Sequence, residues 1–173
     1  MFNVHRFAMS ASNAALGAAS AAAHLVTTFD PAKKGTNTTL TNTNHTATIA
    51  TASSGVLVVD GMTTENYYVD FTVVTSTNLG FIGVGNTSID YNAGLGNDAN
   101  GWSYNSAGNK RHSNVDTAYG ATWVAGDVIR ATYNNGSLSF AKNSVDQGTA
   151  FTGLSGTLYF GYSDNLVGAV TIS

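Results

Sequence analysis

Cysteine is absent from the 173-residue sequence, so disulfides and thiolate chemistry are excluded and the redox compartment leaves no trace. Glutamate occurs once, at Glu65, which rules out a paired-glutamate acid/base site, and no Asp pair is signalled. The four histidines, His5, His24, His45 and His112, never fall in H-x-H or H-x-x-x-H spacing, so a metal-ligand pattern is missing. Charge is scarce: 10% of residues, against about 25% in an ordinary globular domain. Net charge is -3, and Lys or Arg residues adjoin only at Lys33-Lys34 and Lys110-Arg111. A phosphate backbone requires a continuous positive stripe, so no nucleic-acid partner is expected. No apolar run approaches the ~20 residues that cross a bilayer, so no membrane insertion is expected. No cofactor is expected either.

Thr, Asn, Ser and Gly fill the surface that charge vacates. Such a surface has little long-range repulsion to hold copies or partners apart. It fits either a compositional habit or a subunit packed against neighbours. At this length one domain buries roughly 70% of its unfolded surface and needs no staple.

The N-terminus, MFNVHRFAMSASNAALGAASAAAHLV, faintly imitates a signal peptide, but Ser10, Ser12, Asn13 and Ser20 interrupt any apolar core. It is expected to be retained, in a protein made and kept in a cytosol or assembled there. Residues 8–25 score as helix on their alanines, although Gly17 weakens it. A lone helix of this length is marginal, so it must pack on its own domain or dock on another subunit; extended structure is the third alternative. Residues 1–26 therefore read as an arm and 27–173 as the body.

From Phe29 the pattern turns to short strands. FDPAKKG reads as a turn opened by Pro31, and TNTTLTNTNHTATIATASSG as exposed or edge strands. GVLVVDG suits a strand covered on both faces. In NYYVDFTVVT, Tyr67, Val69, Phe71 and Val73 share one face, and Tyr68, Asp70 and Thr72 the other. The glycines of LGFIGVG suggest close approach by a neighbour. Residues 86–121 read as a long Gly/Asn/Ser loop region. GTLYFGYS and GAVTIS close an antiparallel sandwich.

GDVIRATYNNGSLSFAKN predicts a hairpin. A type I′ turn at Asn135-Gly136 pairs Tyr133 with Leu138, Ala131 with Phe140 and Ile129 with the stem of Lys142. Arg130, Thr132, Asn134, Ser137 and Ser139 then occupy the opposite face. Asp127 reads as a turn cap that receives backbone N–H groups.

This segment resembles the C-terminal half of a SPRY domain. Gly126-Asp127-Val128-Ile129, Gly136, Leu138-Ser139-Phe140, Lys142-Asn143 and Ala150-Phe151 match that family's GDVI, turn, LSF, KN and AF elements. Upstream, YYVDF, GFIGVG, GWSYNSAGNKRH with AYG, and FDPAKKG with TLTNTN resemble further family blocks, so the similarity spans residues 29 to about 165. The turn is shorter than usual and lacks the family's acid, and Ser144 stands where Gly is usual. The resemblance implies an all-β, bent antiparallel β-sandwich of concanavalin-like jelly-roll architecture, used for non-catalytic recognition or assembly. Animal members bind short peptides through loops at one end. Small stand-alone members of this composition resemble virion proteins of tailed bacteriophages.

GLSGT (153–157) departs from a nucleophile elbow at Thr157, and GLGNDA (94–99) lacks the strand-and-helix frame of a dinucleotide site. A non-EF calcium site on Asp90 and Asp98 stays open. The candidate contact residues are Asp98, Asn100, Trp102, Tyr104, Lys110, Arg111 and His112. Their aromatics, with Tyr119 and Trp123, form either a ligand platform or a plug closing the sandwich end. Lys110 and Arg111 are expected in an exposed loop. His112 matches a family loop histidine. The functional expectation is a virion component, a head decoration or fibre protein, whose partners are other virion proteins or its own copies. The alternative is a free module for a peptide or glycan, including one on a host surface.

Overall fold

The computed structural model describes residues 21–76 and 79–173, and among them every regular element is a strand. In chain order these are β1 (Ala23–His24), β2 (Phe29–Lys34), β3 (Thr38–Thr41), β4 (Thr46–Ile49), β5 (Ser54–Val58), β6 (Asn66–Ser76), β7 (Gly80–Gly85) and β8 (Gly101–Asn105). There follow β9 (Asn109–His112), β10 (Val115–Ala118), β11 (Val128–Asn134), β12 (Ser137–Lys142), β13 (Val145–Phe151), β14 (Tyr159–Asp164) and β15 (Gly168–Ile172). An eight-stranded sheet runs β13-β12-β11-β6-β15-β4-β3, with β1 added beside β6; a seven-stranded sheet runs β10-β9-β8-β7-β14-β5-β2. The two face each other as the expected all-β sandwich. All strand pairs are antiparallel except β1 with β6.

Alternation along the strands builds the core. Val69, Phe71 and Val73 of β6 are buried, and Ile129, Ala131 and Tyr133 of β11 lie against Leu138 and Phe140 of β12. The hairpin has the expected register: Tyr133 faces Leu138, Ala131 faces Phe140 and Ile129 faces Lys142. Asn135 (φ 42°) and Gly136 (φ 81°) supply the two left-handed residues its turn requires. All of β5 is buried, as its unbroken apolar run implies. β7 is buried throughout, and a Cβ on Gly83 would lie 2.0 Å from the carbonyl oxygen of Trp102, so only glycine lets β8 close on β7.

Two expectations are corrected, and for residues 21–25 one of the open alternatives is decided. FDPAKKG is not a free turn but the bulged edge strand β2, in which only Phe29 and Lys34 pair with β5; proline is tolerated at such an edge. Of the alternatives open for the Ala-rich stretch, residues 21–25 take the extended one, packed on their own domain. Ala23 and His24 pair with Tyr67 and Tyr68, where β6 extends past the end of β15 and its backbone would otherwise lack partners. The rest of the Ala-rich stretch lies outside the described residues. The segment 86–121, expected as loop, contains β8, β9 and β10. Its Gly, Asn and Ser residues mark the turns between these short strands: Gly108 (φ 90°), and Ser113 and Asn114 (φ 50° and 61°).

Candidate functional site

Five of the seven candidate contact residues stand on β8 and β9, and strand alternation divides them between two faces. Trp102, Tyr104, Lys110 and His112 turn toward the eight-stranded sheet. Trp102 stacks on His112 with ring centroids 4.8 Å apart and planes 7° from parallel, and His112 meets Phe151 edge-on at 6.5 Å. His112 Nδ1 lies 2.8 Å from the carbonyl oxygen of Gly101, the hydrogen bond expected of a loop histidine but made within a strand pair. Trp102 and His112 stay half-buried at the rim.

Tyr104 is core. It is fully buried, packs on Phe140, Tyr119 and Trp123, and donates its hydroxyl to the carbonyl of Ala121. Burial pushes its pKa up to about 12, and does the same for Tyr119, which donates to the Gly148 carbonyl. Trp123 is also fully buried. For Tyr104 and Trp123 the aromatic residues are thus a plug, whereas Trp102 is the part left open.

Arg111 faces the other way, beneath the loop 86–100 that covers the outer side of the seven-stranded sheet. Its Nε donates to Asn97 Oδ1 at 2.9 Å, Nη1 reaches Asp116 Oδ2 at 2.9 Å, and Nη2 donates to Asn114 Oδ1. Lys110 Nζ donates to the carbonyl of Ala150 at 2.8 Å beside the Phe151 ring. The expectation of an exposed basic loop is therefore corrected: both cations are on β9, partly buried and already bonded.

Asp98 and Asn100 staple the covering loop. Asp98 accepts backbone N–H groups from Asp90 (2.9 Å) and Asn100 (2.8 Å), while the Asn100 side chain bonds Asn86 and the Ser88 carbonyl, each at 3.2 Å. Asp90 accepts the N–H of Asn92 at 2.9 Å. The two acids weighed for calcium thus cap backbone, and no cluster of three or more His, Cys, Asp or Glu occurs among the described residues.

The pairing of charge is general. Lys33, Arg111, Arg130 and Lys142 form ion pairs with Asp30, Asp116, Asp70 and Asp127 at 2.7–3.1 Å. Lys34 and Lys110 donate to the carbonyls of Thr38 and Ala150, each at 2.8 Å. Every lysine and arginine among the described residues therefore has its head group on a partner within the chain. Asp127 behaves as its place before β11 suggests. It accepts the Val124 N–H (2.8 Å) and the Asn143 amide (2.7 Å) and pairs with Lys142 (3.1 Å). Partial burial raises its pKa, but these donors outweigh burial and hold it below the usual carboxylate value.

Phe151, Asn97 and Asp116 join these contacts without any motif in the sequence that marks them for it. Phe151 was visible only as a closing AF element, and Asp116 could be placed on Arg111 only once the Ser113-Asn114 turn had fixed the register of β9 and β10.

A family model for the SPRY domain matches residues 65–164, more than half of the chain. Among solved structures, the SPRY domain of human HERC1 superposes with a TM-score of 0.72 at 23% identity, covering 83% of this chain and 96% of that one. The TRIM65 PSpry domain gives 0.73 at 11% identity, over 87% and 90% of the two chains. Stonustoxin gives 0.72 at 15% identity over 87% of this chain, which corresponds to 27% of the toxin chain. At these identities the likeness speaks for the fold alone. The family match, laid on a sandwich whose GDVI strand, hairpin and glycine-rich strand stand in register, shows that the chain belongs to the SPRY domain family of protein–protein interaction modules.

Proposed function

We propose that the protein is a non-catalytic structural and recognition component of a tailed-bacteriophage virion, a head decoration or fibre protein assembled in the host cytoplasm. The observation that carries this reading is the internally satisfied charge of the surface: each described lysine and arginine is bonded within the chain. A module that steers a charged ligand keeps cations free, whereas a body that lies against neighbours does better without them. Contacts with other virion proteins or with its own copies rest on shape and apolar burial, multiplied by symmetric repetition. Residues 27–173, with β1 laid on β6, serve as the rigid body, and the stretch before β1 serves as the tie to a neighbour.

Sedimentation tests this. The full chain, in lysate of cells that produce it naturally, should travel with a large particle, and a variant lacking residues 1–20 should remain unbound. A full chain that stays free while particles sediment would defeat the proposal. Full particle binding by the truncated chain would defeat the arm's role.

The half-open Trp102–His112 stack favours a second reading, a platform for a peptide or glycan, with Phe151 and Lys110 beside it on the same face. A glycan and peptide array should then give a hit that Trp102→Ala or His112→Ala abolishes without unfolding the domain. If neither change alters binding, this platform is not the site.

A further inference from the structure

Resting on the reading of the protein as an assembling subunit, we infer that residues 1–20 of one copy dock on an apolar cap at the opposite end of the next, joining copies head to tail. The cap is the end of the sandwich where β6 closes and β7 begins, beside the β14–β15 turn and the segment before β11. Val74, Leu79, Val124 and Leu166 are 52%, 39%, 55% and 47% exposed there. The Asn165 N–H donates to the Leu79 carbonyl at 3.3 Å, which sets Leu166 beside Leu79. Gly126 donates to the Val73 carbonyl at 2.8 Å and Val73 to that of Asp127 at 2.9 Å, which sets the Val124 turn beside Val74. Trp123 lies beneath, fully buried and pressed on Gly80, where a Cβ would come within 2.7 Å of its ring.

Among the described residues no open charge interrupts this cap. Asp127 and Lys142 neutralise each other, and Asp164 is fully buried, bonded to the Tyr162 hydroxyl at 3.2 Å and the Leu166 N–H at 2.9 Å. Asp146, at the flank beside exposed Val145, caps the Gly148 N–H. Single exposed aliphatic residues are ordinary, but four gathered at one end of the sandwich with no free charge among them form a contact surface.

The occupant follows from where the arm leaves the body. Residues 1–20 contain Met1, Phe2, Val4, Phe7, Met9, Leu16 and six alanines, and no acid. β1 runs parallel to β6, Ala23 opposite Tyr67 and His24 opposite Tyr68. The chain before Ala23 therefore points past Asn66, away from the Val74 end. The 11 residues of β6 separate the two ends, about 35 Å at the usual rise per residue. An apolar segment leaving one pole and an apolar cap on the other make a heterologous contact between successive copies.

The natural absence of cysteine supplies the test. Full-length Leu16→Cys chains are mixed with full-length Leu166→Cys chains and treated with a short bis-maleimide. Docking raises the local concentration of the two thiols, so the mixed dimer should exceed by about tenfold that formed with Thr152→Cys, an exposed site at the other pole. Adding Val124→Asp should remove the excess while circular dichroism shows the fold retained. Equal yields from the Leu166→Cys and Thr152→Cys chains would overturn the inference. So would a chain carrying both Leu16→Cys and Leu166→Cys that crosslinks only within itself. Particle cosedimentation without the crosslink excess defeats this docking alone; the excess without cosedimentation defeats the virion reading and leaves the docking standing.

Discussion

Replacing Asp127 with alanine tests the claim that this carboxylate ties three segments together. It holds the Val124 N–H, the Asn143 amide and the Lys142 ammonium, and Asn143 in turn accepts the Val128 N–H at 2.8 Å. Hydrogen bonds to a charged acceptor contribute roughly 1.5–3 kcal/mol each when isolated. These three share one side chain and their partners regain water, so the expected loss is about 2–3 kcal/mol rather than the full sum. For a domain of this size that lowers Tm by about 5–10 °C. The folded pKa of Asp127 is depressed. Its stabilisation is therefore present above the unfolded carboxylate pKa, near 3.9, and fades as pH falls through the folded value. Urea melts of wild type and Asp127→Ala at pH 7 and pH 2.5 should differ widely at the first pH and by less at the second. Asp127→Asn, which keeps an acceptor without charge, should fall between them at pH 7. A penalty below about 0.5 kcal/mol at pH 7, or an equal penalty at both pH values, would refute the reasoning.

Ser144, at φ 67° where the family usually has glycine, should yield about 0.5–1 kcal/mol of added stability on Ser144→Gly, read as a higher urea midpoint at unchanged slope. Gly83→Ala should cost about 3 kcal/mol or more, because its Cβ would meet the Trp102 carbonyl oxygen at 2.0 Å; near-wild-type thermal stability would show that β8 can move aside. Arg130 makes two bonds to Asp70 and stacks 3.8 Å from the Tyr68 ring, yet its side chain is 44% exposed. Arg130→Ala should accordingly cost no more than about 1 kcal/mol, and 0.5 M salt should reduce even that.

Elements whose side chains alternate against one core were legible in the sequence. The β11–β12 register followed from an Asn-Gly turn and two rows of apolar residues, and β6 declared its inner face through Val69, Phe71 and Val73. β8 to β10 were not legible, because four- and five-residue strands separated by Gly, Asn and Ser carry too few periods to outweigh their turns. The same blindness misplaced the candidate site. Without the β9 register, Lys110 and Arg111 read as neighbours on one exposed surface, when pleating sends them to opposite faces and each finds a partner more than ten positions distant, Ala150 and Asn97. Tyr104 and Trp102, two residues apart, share a face but not a depth: Tyr104 sits under Phe140 and Tyr119, whereas Trp102 reaches the rim.

The place of β15 has a consequence for synthesis. It lies between β6 and β4, so the middle of the eight-stranded sheet stays open until residue 172 has cleared the ribosome. Earlier strands must wait with Phe71 and Ile49 unshielded, and folding should be a single late event governed by distant pairings rather than a progressive one. Nascent chains stalled before Gly168 should therefore remain protease-sensitive along their whole length, and chaperones should find them attractive clients.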